Sequence, residues 1–228
     1  MSRTLNVVRL QLINKQTFVW VPLIILAATS VVSVAIFAMI PVDGPKYGGG
    51  GQAPLWYFFA LGLSSLTLTF PFSQAMSITR REFFLGTMLT AVLASVLLSV
   101  VFVVLGLVEL ATDGWGVRGY MFYLPWMWEG GALAAGVVYF TMAMFFFLVG
   151  FLGATVYKRW GPVVTTVASI AVGLIPVGIA FFITRAELWG QFGQSIVTVG
   201  ALGLAAWGLL LVAVMAGGSY LVLRRATP

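Results

Sequence analysis

The sequence predicts an all-α, polytopic membrane protein built as a single transmembrane domain over residues 1–228, and three observations carry that expectation. Of the 228 residues, 61% are hydrophobic and only 8% charged, against roughly 25% charged in an average soluble domain. Several apolar runs exceed the ~18 residues at which a bilayer-crossing helix is suspected. Their Leu, Val, Ala, Phe and Gly content lacks the alternating pattern of an outer-membrane barrel.

Six transmembrane helices are expected, near residues 18–40, 55–76, 83–110, 131–157, 161–184 and 195–223. At a rise of 1.5 Å per residue each reaches the ~30 Å hydrocarbon thickness, and the longer ones must tilt, kink or project beyond it. Segment 1–17 is polar and leads into the first span. That span lacks a short apolar core ending in a small-residue cleavage site, so it reads as retained rather than as a removed signal peptide.

Orientation follows from Lys and Arg in the connections. One set holds Arg3, Arg9, Lys15, Arg80, Arg81, Lys158, Arg159, Arg224 and Arg225, nine cations against the single acid Glu82. The other holds Lys46, Arg118 and Arg185 with Asp43, Glu109, Asp113, Glu129 and Glu187, three cations against five acids. The first set is therefore expected inside, with both termini cytoplasmic, in a bacterial-type plasma (inner) membrane. The basic residues are scattered between apolar spans rather than grouped on one solvated face, so the net charge of +6 speaks for topology and not for nucleic acid.

The outer segments differ in kind. Residues 41–54, "PVDGPKYGGGGQAP", contain four consecutive glycines and read as a flexible linker, with a mobile lid as the alternative. Residues 111–130 crowd Trp115, Tyr120, Phe122, Tyr123, Trp126 and Trp128 together. A membrane-interface belt is the plainer reading, an aromatic vestibule facing a substrate the sharper one.

No Asp, Glu, Lys or Arg lies near the middle of a span, which argues against a proton or sodium relay and against an intramembrane aspartyl protease. Glu109 comes closest, at the outer end of the third span, where water is expected to reach it. The chain has no Cys and no His, which excludes disulfides, thiol and serine–histidine catalysis and the usual zinc sites; no metal ligands and no catalytic residues are expected. The polar content of the spans is hydroxyl, and most of it is expected to bond within or between helices. Ser64, Ser65, Thr67 and Thr69 of the second span, with Phe140 and Phe145 of the fourth, are the candidates for lining a path. The Phe145-Phe146-Phe147 run, with Phe140 and Phe151, faces lipid on the simpler reading. Pro71 and Pro176 should each kink or loosen a helix. Small residues four apart, as at Gly150 and Ala154 or Ala201 and Ala205, allow close helix approach.

The stretch 77–87, "SITRREFFLGT", concentrates charge between two apolar runs. Thr79 followed by Glu82 fits a capping box, which predicts a helix starting near Arg80. Arg80 and Arg81 then occupy its first turn, where cations oppose the helix dipole.

The combination of a polar N-terminal segment, a second span ending in "SQAMSITRREFFLGTML" and four further spans resembles the membrane subunits of ABC exporters of the type 2 class. The resemblance implies that 1–17 forms an interfacial elbow helix. Leu5, Val8 and Leu12 share one face of it, while Val7, Leu10 and Ile13 fall elsewhere. It also implies that the connection between the second and third spans couples to a cytoplasmic ABC ATPase subunit through Thr79, Arg80, Arg81, Glu82, Phe83 and Phe84, with a smaller contact at Lys158 and Arg159. The outer helices common in that family between the last two spans must be brief or absent in "RAELWGQFGQ". The chain has no phosphate loop of the Gly-x-x-x-x-Gly-Lys-Ser/Thr kind, so Mg-ATP would be bound by the partner and no cofactor by this chain.

The expected function is accordingly the permease subunit of an ATP-driven exporter of drug, peptide or lipid-like cargo, paired with a second permease chain as a homo- or heterodimer among membrane lipids. The alternatives are a self-sufficient secondary transporter or channel, for which no internal repeat is apparent, and a membrane scaffold or assembly protein.

Overall fold

The computed structural model describes residues 3–13 and 16–224. Lys15 and Arg225, two of the cations in the orientation count, lie outside the described residues, as does the side chain of Arg3. The chain is almost entirely helical: α1 (Arg3–Ile13), α2 (Val21–Met39), α3 (Ala53–Ser64), α4 (Phe70–Ala75), α5 (Arg80–Ala111), α6 (Pro125–Trp128), α7 (Gly131–Arg185) and α8 (Trp189–Leu223). Among the described residues, five helical stretches are long and apolar enough to cross a membrane: Gln16–Met39, Gly50–Ala75, Arg80–Ala111, Gly131–Arg185 and Trp189–Leu223.

Proline shapes the first two spans. A wide π turn, Gln16–Trp20, runs into α2, and a second one, Ser65–Thr69, joins α3 to α4. Each ends two residues before a proline, Pro22 and Pro71. A proline ring collides with the carbonyl four residues back and supplies no N–H to it, so the turn opens locally. Pro71 thus loosens its helix as expected, whereas Pro176 lies inside α7 with no departure from helical geometry beside it.

The departure in α7 falls at Gly161, with φ 81° and ψ −178°. Pro162 follows it and disfavours the α conformation in the preceding residue, and only glycine adopts that pair of angles without strain. The expected boundary between residues 157 and 161 is therefore a single-residue break within one 55-residue helical stretch. A second break at Gly200 (φ 67°, ψ 171°) divides α8. The last long stretch begins after Gly200 rather than at Ser195, and residues 189–199 form a short helix of their own.

The core lies where α3, α5 and α7 meet, around Phe58, Leu61, Phe83, Leu98, Phe102, Phe147 and Phe151. Gly62 and Gly150 face each other across the α3–α7 seam: a Cβ on Gly62 would overlap the Phe147 carbonyl, and one on Gly150 the Phe59 carbonyl. Backbone lies on backbone there, the close approach that small residues permit. On α8, Ala201 and Ala205 pack on Val138 near the start of α7, while Tyr220 and Phe151 both meet Phe84 at the other end. The two stretches 131–160 and 201–223 therefore run parallel, and the chain between them retraces the length of the bundle. That returning stretch, 161–185, presents Val163, Val167, Ile170, Leu174, Phe181 and Phe182 outward.

The N-terminal helix α1 lies against the start of α5. Val7 and Val8 are buried, and so is Gln11, whose amide donates to the Thr87 hydroxyl at 2.9 Å. Gly86 leaves the notch that Val7 and the Thr4 carbonyl occupy. Leu5, assigned to the apolar face from spacing, is exposed, because the partner surface is a helix with a groove and not a featureless interface.

Candidate functional site

The turn at residues 76–79 is fully determined by its hydrogen bonds. α4 closes with Ser77 in the left-handed region (φ 59°), the Ile78 N–H donating to the Ser73 carbonyl at 3.1 Å and the Ser77 N–H to the Gln74 carbonyl at 3.0 Å. This Schellman arrangement usually takes glycine at the left-handed position. Thr79 then caps α5. The Glu82 N–H donates to Thr79 Oγ1 at 3.3 Å, while the Thr79 N–H and hydroxyl donate to Glu82 Oε2 at 3.0 and 2.8 Å. The capping box and the helix start at Arg80 are as the sequence predicts.

Arg80 does more than occupy the first turn. Its guanidinium donates to the carbonyls of Leu223 (3.4 Å) and Arg224 (2.8 Å), satisfying the open end of α8 where the helix dipole is negative. Arg81 points to solvent. Phe83, assigned to the docking surface, is fully buried, with its ring 5.1 Å from Phe70. Phe84 packs 5.1 Å from Tyr220. Both phenylalanines brace the helix start from behind because the cap turns them inward, and what they leave on the surface is Thr79 and Arg81. Lys158 and Arg159 lie at the same end, near the break at Gly161. The Arg159 guanidinium sits 4.2 Å over the Trp160 ring, and Arg159 shares a cavity with Leu221, Val222 and Arg224.

At the opposite end Glu109 is completely buried, contrary to its expected access to water. Its carboxylate accepts from the N–H groups of Met121 (3.0 and 3.1 Å), Phe122 (2.9 Å) and Tyr123 (2.7 Å) and from Trp115 Nε1 (3.1 Å). Every partner is a donor, so the acid is the nucleus around which residues 111–130 fold. The Trp128 indole and the Tyr139 hydroxyl both donate to the Phe122 carbonyl, and Trp128 fills the notch left by Gly106.

Residues 111–130 thus form a packed cap, with Met121, Phe122 and Trp128 buried. The glycine run is part of it and not a flexible linker. Lys46 and Tyr47 pair in parallel with Gly119 and Tyr120, while Gly48, Gly50 and Gly51 abut Phe37, Ser33 and Phe122 with no room for a Cβ. Lys46 Nζ donates to the Phe37 carbonyl at 2.8 Å, and Arg118 donates to the Asp43 carbonyl and pairs with Asp113 at 3.7 Å. The hydrogen bond from Tyr120 to Asp113 at 2.9 Å, followed by burial, raises the phenol above its usual range.

The candidate path residues are not brought together. Ser64 and Ser65 donate to the Leu61 carbonyl and Thr67 to that of Leu63, so these hydroxyls serve their own widened turn. Thr69 is partly buried beside them. Phe140 lines an apolar groove between α5 and α7, and Phe145 a different one between α7 and α8. Among the described residues no group of three or more carboxylates could hold a metal ion. No family model, curated protein or solved structure matches the chain.

Proposed function

We propose that the chain is the membrane-spanning permease subunit of an ATP-driven exporter, with six spans, both termini cytoplasmic, and a second permease chain completing the path. The observation that carries this reading is the determined turn at residues 76–81. A Schellman turn and a capping box fix the start of α5, and Arg80 ties that start to the end of α8. A force applied at this turn would reach the second, third and last spans together, which is what coupling to a separate ATPase requires.

The six-span count is supported by the break at Gly161, beside Lys158 and Arg159, and by the parallel course of 131–160 and 201–223. A 55-residue helix crossing once would extend about 80 Å, far beyond the ~30 Å hydrocarbon core. The short helix at 189–199 fits the brief outer helix that the resemblance leaves room for.

Arg81 provides the test, because it faces solvent while Arg80 has a structural partner. Arg81→Glu should leave thermal stability unchanged and reduce copurification with a phosphate-loop ATPase, or cargo-stimulated ATP hydrolysis, by about tenfold, equivalent to about 1.4 kcal/mol for a charge reversal at the rim of a polar interface. Intact binding and coupling in Arg81→Glu would remove the assignment of this turn.

A further inference from the structure

At the Arg80 end, between the last turn before Gly161 and the last turn of α8, lies a cavity of about 410 Å³ lined by Arg159, Leu221, Val222 and Arg224. Two features make it more than a gap between cations. Each arginine is held by an aromatic ring: Arg159 at 4.2 Å over Trp160, and Arg224 at 5.9 Å over Tyr220. Guanidinium groups fixed in this way lose less freedom on binding a ligand. Among the described residues no carboxylate lies within 4 Å of either guanidinium, and each retains the planar fork of N–H donors that matches a phosphate.

The backbone at the cavity is compensated as well. The end of a helix presents carbonyl oxygens that repel an anion, but here Arg80 donates to the carbonyls of Leu223 and Arg224. A third cation therefore stands behind the cavity and cancels the unfavourable end of α8. Beside it, Trp160 is about half exposed, at 45%, as an amphipathic ring is at the headgroup level of a bilayer. Leu221, 62% exposed, continues the wall as an apolar surface suited to an acyl chain.

From this geometry we infer that the cavity between Arg159 and Arg224 is a binding site for a phosphate group, of the kind carried by an anionic phospholipid headgroup or by free phosphate. Basic pockets between spans at a membrane surface take anionic headgroups in this manner. The inference stands apart from the exporter reading, since it requires only that this end of the bundle meet a membrane surface.

The test uses the full-length protein in detergent micelles. Native mass spectrometry follows retention of phosphatidylglycerol against phosphatidylcholine, and calorimetric titration with inorganic phosphate runs in parallel. Phosphatidylglycerol retained over phosphatidylcholine, and reduced about tenfold in the Arg159→Gln/Arg224→Gln variant, supports the lipid as ligand. Phosphate binding with the same dependence on both arginines, without lipid preference, supports free phosphate.

Arg185→Gln should bind as the native chain does. Arg159→Lys/Arg224→Lys, which retains both charges but loses the planar forks, should bind more than the double Gln variant and less than the native chain, and separates lost charge from a failure to fold. Binding of either probe that is equal in native protein and the double Gln variant, or no binding of either by the native protein, overturns the proposal.

Discussion

Glu109 is the side chain on which most of one end of the molecule depends. A carboxylate that accepts from three backbone N–H groups and an indole does at once what a turn, a cap and a small core would otherwise do separately, and it does so without exposure to solvent. Glu109→Gln keeps the shape but turns an NH₂ toward groups that are all donors, leaving at least one buried N–H without an acceptor. The expected loss is about 3 kcal/mol, since hydrogen bonds to a charged group and stranded buried donors are both at stake. Thermal unfolding in detergent, together with near-ultraviolet circular dichroism of Trp115, Trp128 and Tyr139, would register it. Glu129→Gln, at an exposed acid on the same side, should change neither signal. Equal stability of the two variants would mean that the cap folds without its acid.

Between elements, the seam that matters most is α3 against α7 at Gly62 and Gly150, where carbonyl oxygens occupy the space of a missing Cβ. Gly150→Ala cannot be absorbed by a side-chain rotation, because the obstacle is the Phe59 backbone, so the helices must separate and every contact along the seam loosens. A cost of about 1–3 kcal/mol, typical of overpacking, is expected in the same unfolding measurement. Gly153→Ala, three residues on and with open space around it, should be neutral or slightly stabilising. The spacing of Gly150 and Ala154 marks a place of close helix approach without naming the partner, and Thr79 with Glu82 predicts the start of α5, because both signals are local. Glu109 was visible as an isolated acid, but its partners were not. They are backbone amides of Met121, Phe122 and Tyr123, and any residue supplies an amide. The glycine run is ambiguous for a related reason: four glycines satisfy equally a linker with no structure and a tight turn pressed against Phe37 and Phe122, and only the tertiary partner separates the two.

For the whole molecule, the number of bilayer crossings turns on one residue. If Gly161 with Pro162 reverses the path of α7, then residues 131–160 and 161–185 are two spans. Lys158 then shares a side with Arg81, while Glu187 shares the opposite side with Gln52. The parallel packing of 131–160 with 201–223 favours this arrangement, since the chain must return before it can descend beside itself. The sequence contains no cysteine, so single-cysteine variants report without background. Arg81→Cys and Lys158→Cys should be labelled by an impermeant maleimide only after the membrane is opened, and Gln52→Cys and Glu187→Cys in intact cells. Labelling of Lys158→Cys and Glu187→Cys from the same side would eliminate the six-span arrangement. Labelling of the Arg81 and Lys158 variants from outside would keep the six spans but invert them, carrying the Arg159–Arg224 cavity to the outer leaflet and leaving no cytoplasmic surface for an ATPase at the Thr79 turn.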